Sequence, residues 1–226
     1  MKNTSFSTKD IIHFVEKHIG DSGKSREKGL DEFLDYLLDF FSIDAYKDGQ
    51  ESMIKHFKAM QERSRYLYFA TIAWLEVTGE KIGDGGWYDT LGHLYEELYQ
   101  SRGKANALGQ FYTPESVCDL MSRMQTHPDE VYSVRVNDPA CGSGRTLVAE
   151  HHILKKGYYV GQDIDATSVK MCALNMMVHN MRGRAVRGDT LRDPVGFDWG
   201  YEVNEANYPF PCGCYSVRRI TGKASV

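Results

Sequence analysis

Three aspartates, each closing a short apolar stretch, are the side chains of this sequence best placed to do chemistry. Asp138 ends Val134-Arg135-Val136-Asn137-Asp138, where Val134 and Val136 alternate with polar residues as in a half-buried strand. Asp163 ends Tyr158-Tyr159-Val160-Gly161-Gln162-Asp163, and Asp189 ends Ala185-Val186-Arg187-Gly188-Asp189. An open α/β sheet binds its ligand beyond the carboxyl ends of its strands, so three acids there mark a site. Acids at strand ends also cap helices, so any one of them alone says little.

The first acid leads into Pro139-Ala140-Cys141-Gly142-Ser143-Gly144-Arg145-Thr146, and Thr146 to Leu154 reads as a helix stopped by Gly157. A glycine turn entering a helix presents backbone N–H groups and little side chain, with the positive helix end behind them. A dinucleotide fingerprint needs a third glycine, where Leu147 stands, and a phosphate loop needs G-K-[ST], which Arg145-Thr146 does not supply. An acid followed by a glycine turn suits a ligand with a cationic end. S-adenosylmethionine (SAM), with its ammonium and sulfonium, is such a ligand. A plain tight turn in an α/β domain would carry the same two glycines. For a nucleoside ligand, Asp163 is placed to accept from both ribose hydroxyls and Asp189 from an adenine amino group.

These residues need elements to hold them. Ala166 to Asn180 reads as a helix with Val169, Cys172, Ala173, Met176 and Met177 on one face. Thr113-Pro114 reads as an N-cap followed by proline at the first helical position, with Val117, Leu120 and Met121 on a buried face. Residues 1 to about 85 read as helical. Ser7-Thr8 caps a helix carrying Ile11, Ile12, Val15 and Ile19, and Leu30, Phe33, Leu34, Leu37, Leu38 and Phe41 recur at helical spacing. A third helical stretch runs from Glu51 to Val77, and Gly83-Asp84-Gly85-Gly86 marks a domain boundary. The apolar stripes of these helices are expected to be core.

Composition narrows the classes. The 226 residues suffice for one large domain or two small ones, and 42% hydrophobic with 26% charged residues is ordinary for a globular protein. A net charge of -4 gives no global basic field, so contact with a polyanion needs a local patch. Arg182, Arg184, Arg187 and Arg192 flank the third strand, either as a solvated face or as phosphate contacts. Five scattered cysteines point to a reducing, cytoplasmic setting. Met1-Lys2-Asn3-Thr4-Ser5 leads into charged sequence without a signal peptide, and no apolar run approaches the ~18 residues of a membrane span. His151-His152 does not share a helix face and Cys212-Gly213-Cys214 has no second pair, so no metal site is expected. Cys141 reads as a small packing residue.

The order Gly109-Gln110-Phe111-Tyr112-Thr113-Pro114, Asp138-Pro139-Ala140-Cys141-Gly142-Ser143-Gly144, Gly161-Gln162-Asp163, Gly188-Asp189-Thr190-Leu191 resembles the N6-adenine DNA methyltransferases. Within them it is most similar to the modification subunit of type I restriction systems. Leu91-Gly92-His93-Leu94-Tyr95-Glu96-Glu97-Leu98 is similar to the helix that precedes the catalytic domain of that group. The resemblance runs from about Asp89 to Leu191. It implies an α/β fold: an N-terminal helical domain, residues 1–85, then a partial Rossmann-like SAM-dependent methyltransferase sheet with flanking helices, residues 86–226. It implies methyl transfer from SAM to adenine N6 in DNA. The implied cofactor residues are Phe111, Tyr112, Thr113, Asp138, Pro139, Ala140, Gly142, Gly144, Asp163, Ile164, Asp189, Thr190 and Leu191. Thr113 would hold the SAM carboxylate, with Phe111 or Tyr112 bordering the cofactor. Implied partners are double-stranded DNA, a specificity or second modification subunit, and a second copy of the chain, with no membrane.

In the resembled family an [Asn/Asp]-Pro-Pro-[Tyr/Phe] loop accepts the amino hydrogens of the flipped base and stacks on its ring. No Pro-Pro occurs here. Asn207, Pro209 and Phe210 fall in register with that loop, with Tyr208 replacing the first proline, and are the catalytic candidates. Just before them, Asn204 and Glu205 stand where a central strand should be apolar, and an unpaired buried carboxylate is costly. A fourth strand of normal form is therefore not expected. Only a short tail follows Phe210, so the sheet reads as truncated and the isolated chain as weak or inactive in methylation. The alternative is a non-catalytic SAM- or DNA-binding module that needs a partner. A small-molecule or RNA methyltransferase is disfavoured by the motif order.

Overall fold

The structure, a computed structural model, describes residues 5–20, 25–46, 49–83, 85–100, 113–125, 134–204 and 216–222. The chain divides into two compact units, residues 1–111 and 112–226.

The first unit is helical: α1 (Thr8–Ile19), α2 (Arg26–Phe40), α3 (Gln50–Arg63), α4 (Arg65–Gly83) and α5 (Thr90–Gln100). Asp10 closes the start of α1 by accepting from the N–H and hydroxyl of Ser7, at 2.8 and 2.6 Å, which holds its pKa below the usual carboxylate value. Ile11, Val15, Leu30, Phe33, Leu34 and Leu37 are buried as their helical spacing implies. The stretch expected as one helix from Glu51 to Val77 is two helices. Ser64 breaks it with extended backbone, and its hydroxyl takes the Leu67 N–H at 3.2 Å and meets His18 Nδ1 at 2.9 Å. Helix α5 lies in the first unit, with Leu91, Leu94 and Leu98 buried. The compact units therefore divide later in the chain than the Gly83-to-Gly86 punctuation suggests.

The second unit holds α6 (Glu115–Gln125), β1 (Arg135–Asp138), α7 (Arg145–Leu154), β2 (Tyr158–Asp163), α8 (Ala166–Val178), β3 (Gly183–Arg187), β4 (Trp199–Val203) and β5 (Val217–Thr221). The sheet order is β1-β2-β3-β4-β5. The first three strands are parallel, with Asp138 opposite Gly161 and Asp163 opposite Arg187. The last two are antiparallel, with Arg187 opposite Trp199 and Val203 opposite Val217. This is the expected α/β class, with a mixed rather than purely parallel sheet.

Three expectations change here. The fourth strand does form. It stops at Val203, one residue before Asn204, so the polar residue leaves the sheet instead of sitting inside it. Helix α8 is not one-faced: every residue from Ser168 to Val178 is buried. It lies against the sheet so closely that a Cβ on Gly161 would stand 2.7 Å from Cys172 Sγ. Helix α6 shows the opposite. Its stripe Val117, Leu120, Met121 and Met124 is 41, 57, 41 and 74% exposed, while Cys118 and Ser122 are buried. The period was legible, but the covered face is the one that small residues let α7 approach. Among the described residues no helix is long and apolar enough to cross a membrane.

Candidate functional site

Because β1, β2 and β3 are parallel, their C-terminal ends share one rim. Asp138 and Asp163 are the last residues of their strands; Asp189 lies two residues past β3, which ends at Arg187. Backbone and side-chain bonds tie the three loops together. Gly142 N–H donates to Asp163 Oδ2 at 2.9 Å, and Gly188 N–H to the Asp163 carbonyl at 3.0 Å. The Thr190 hydroxyl donates to the Pro139 carbonyl at 2.8 Å, across 51 residues of sequence.

Each acid also shapes its own loop. Asp138 accepts from Ala140 N–H at 3.1 Å and from the Thr146 hydroxyl. Asp163 Oδ1 accepts from Asp165 N–H at 2.9 Å, while Asp165 caps α8 through Ser168 N–H at 2.7 Å. Asp189 Oδ1 accepts from Leu191 and Arg192 N–H at 3.1 and 3.3 Å. Its Oδ2 has no partner among the described residues. A carboxylate has about four acceptor positions, so all three keep capacity for a ligand.

The glycine turn behaves differently from the expectation. Gly142 and Gly144 occupy left-handed backbone, at φ 52 and 85. Their N–H groups serve the fold: Gly142 donates to Asp163, and Gly144 to the Cys141 carbonyl at 2.8 Å. The rim therefore presents acceptors rather than donors. Beside them stand Ile164 and Leu191, 61 and 100% exposed. Acceptors with exposed apolar side chains suit a ligand that has cationic and hydroxyl donors and an apolar face. They do not suit a phosphate.

The chain matches the family model described as N-6 DNA Methylase over residues 87–223, more than half its length. It belongs to the N-6 DNA methylase family. The methylase subunit of the type I restriction enzyme MpnII of Mycoplasma pneumoniae is 28% identical over 228 residues, covering 89% of this chain and 38% of that protein. The HindI methylase subunit of Haemophilus influenzae is 35% identical over 104 residues, covering 41% of this chain and 22% of that protein. The solved methyltransferase subunit of a Streptococcus thermophilus type I system aligns at 17% identity and a TM-score of 0.41, covering 85% of this chain and 62% of that one. The chain thus spans well under half the length of these two curated relatives.

Of the residues expected from the sequence, Asp138, Pro139, Ala140, Gly142, Gly144, Asp163, Ile164, Asp189, Thr190 and Leu191 lie on the rim or in its loops. Thr113 is tied to the start of α7 by Arg145, whose Nη1 donates to the Thr113 carbonyl at 3.1 Å. Phe111, Tyr112, Asn207, Pro209 and Phe210 lie outside the described residues. The residues bracketing the last three, Asn204 and Ser216, are anchored at the opposite edge of the sheet, beside the start of β3.

Three supporting residues were not singled out from sequence. Arg145 is one. Asn175 is another: fully buried on α8, it donates to the Ser143 carbonyl at 2.9 Å and holds the glycine turn from beneath. A lone amide in the apolar run Met171 to Val178 is its sequence signal. Gln162, 6% exposed, reaches Gly196 O at 3.4 Å. The arginine run does not form one patch. Arg187 bonds Ile164 O at 3.1 Å and Asp198 at 2.8 Å, and Arg184 lies over the Phe197 ring. Arg182 and Arg192 are exposed beyond opposite ends of β3. A hydrogen bond with Cys172 and burial push the Cys141 thiol up, which keeps it protonated and inert.

Proposed function

We propose that this chain holds SAM along the rim of Asp138, Asp163 and Asp189, as the cofactor-binding part of an enzyme that methylates adenine N6 in DNA. The observation that carries the reading is the joined rim itself: three under-used carboxylates and two exposed apolar side chains in the order this family uses. Asp138 faces the cationic end of the cofactor. Asp163 accepts from the ribose hydroxyls through its remaining lone pairs, and Asp189 Oδ2 from the adenine amino group. Ile164 and Leu191 flank the purine, and Thr113 receives the carboxylate. When bound, SAM supplies a methyl group made electrophilic by its sulfonium; the chain's residues bind and orient it.

The proposed partners are double-stranded DNA and a specificity or second modification subunit, in the cytoplasm, with a second copy of the chain as another candidate. One observation supports a second reading, in which the loop that holds the target base comes from elsewhere. Asn204 and Ser216 bond to each other at the strand ends away from the acids.

Titration calorimetry tests the first claim. SAM should bind a single site, and Asp163→Ala should weaken it about 100-fold, equivalent to about 2.7 kcal/mol. No heat at sub-millimolar SAM sinks the assignment. Labelled-methyl transfer to duplex DNA separates the two readings. Transfer by the isolated chain should be weak or absent, and robust transfer abolished by Asn207→Ala would return that loop to the active site.

A further inference from the structure

We infer that Arg145 is a positioning residue that sets Thr113 for the carboxylate end of the cofactor, an inference that rests on the SAM reading above. Arg145 is the first residue of α7, directly after the left-handed Gly144, and only 4% exposed. A guanidinium taken that far out of water needs hydrogen-bond acceptors, because desolvating its charge is otherwise costly. One of them is the Thr113 carbonyl, 32 residues earlier in the chain. That bond fixes the residue just ahead of Pro114 and helix α6.

The next residue completes the device. Thr146 donates its hydroxyl to Asp138, so adjacent side chains at the start of α7 hold both residues assigned to the amino-acid end of the ligand. Arg145 governs the group that meets the carboxylate, and Thr146 the group that meets the cationic end. The nucleoside end relies on other contacts, through Asp163, Ile164 and Asp189. Arg145 thus acts on one half of the ligand and not on the other. A lysine cannot copy it, because the ammonium lacks the planar fork that can serve several acceptors at once.

The test compares two ligands. SAM carries the amino-acid end; 5′-methylthioadenosine lacks it. In the full chain, Arg145→Met should weaken SAM at least tenfold by calorimetry and leave methylthioadenosine within twofold. Arg145→Lys should fall between the two for SAM alone. Thr113→Val should weaken SAM, and the double variant Thr113→Val/Arg145→Met should lose less than the product of the single losses, since both act through one contact. Equal weakening of both ligands would show that Arg145 merely holds the fold, and overturns the inference. Multiplicative losses in the double variant overturn it too. If Arg145→Met has no melting transition, Arg145→Lys and Arg145→Gln carry the same two-ligand comparison. An unaltered chain that melts cooperatively yet binds no SAM overturns the site reading itself, a result distinct from either of these.

Discussion

The two ends of the same parallel strands are built on opposite terms. At the C-terminal rim, Asp138, Asp163 and Asp189 hold their loops while keeping spare acceptor capacity, and Leu191 stands wholly exposed. At the other end the polar groups are spent. Both amide hydrogens of Asn204 go to carbonyls, Met177 at 3.1 Å and Met181 at 2.9 Å, and its oxygen accepts from Ser216 N–H at 3.1 Å. The contrast is what separates a binding edge from a structural one. A side chain saturated by its own fold has nothing left for a ligand.

The largest expected effect lies beneath the binding rim. Gly144→Ala places a Cβ at positive φ and 2.8 Å from Cys172 Sγ. Left-handed strain costs about 1–2 kcal/mol and overpacking about 1–3 more. A loss of about 3 kcal/mol in urea unfolding is expected, together with weaker SAM binding. An unchanged midpoint would mean that the turn is not held against α8.

Asn204→Gly probes the other edge. Glycine keeps the backbone at φ 50 without strain, so the change isolates the three side-chain bonds. The Met177 carbonyl keeps the Asn180 N–H, so the cost falls on the other two partners, the Met181 carbonyl and the Ser216 N–H, at about 1–3 kcal/mol. SAM affinity should stay within twofold. A variant that loses cofactor while keeping its stability would erase the distinction between the edges.

How much of this was legible beforehand depended on sequence distance. Asp138, Gly142 and Gly144 lie within seven residues, and the strand-loop-helix punctuation around them is local, so both the rim and its order were readable. Asn204 looked misplaced because its partners, Met177 and Met181, lie 27 and 23 residues back and meet it only once β4 turns antiparallel. The stripe on α6 has a clear period, but period alone cannot say which face a neighbour covers. There the choice fell to Cys118 and Ser122, whose small side chains admit α7.

Acid should act first on the structural edge. His151 Nδ1 lies 3.1 Å from the Tyr159 hydroxyl, which itself donates to the Lys156 carbonyl at 3.0 Å. Burial, reinforced by the charge of His179, pulls the His151 pKa from 6.5 down to about 4. The unfolded chain therefore takes up a proton below pH 6.5 that the folded chain refuses until about pH 4. Its contribution is complete above pH 6.5 and is lost as pH falls to about 4. Discounted for the ring's remaining solvent access, it is on the order of 1 kcal/mol. His151→Gln should flatten the melting temperature between pH 6.5 and 4 relative to the unaltered chain. Parallel curves would remove His151 from the acid response.

The smallest change in stability should fall at the most exposed apolar residue, and that is what makes it informative. Leu191 buries no side-chain surface against the fold, so Leu191→Ser removes no packing and should shift stability by less than about 0.5 kcal/mol. A ligand that covers it changes the comparison. Placing a leucine side chain under a purine removes apolar area from water at roughly 25 cal/mol per Å², and a partial covering of about 40 Å² is worth about 1 kcal/mol. SAM affinity should then fall about fivefold while the melting curve stays put. Asn204→Gly should give the reverse pattern, stability lost and affinity kept. If Leu191→Ser leaves both quantities unchanged, the purine does not lie over that side chain, and Ile164 is left as its one apolar neighbour on the rim.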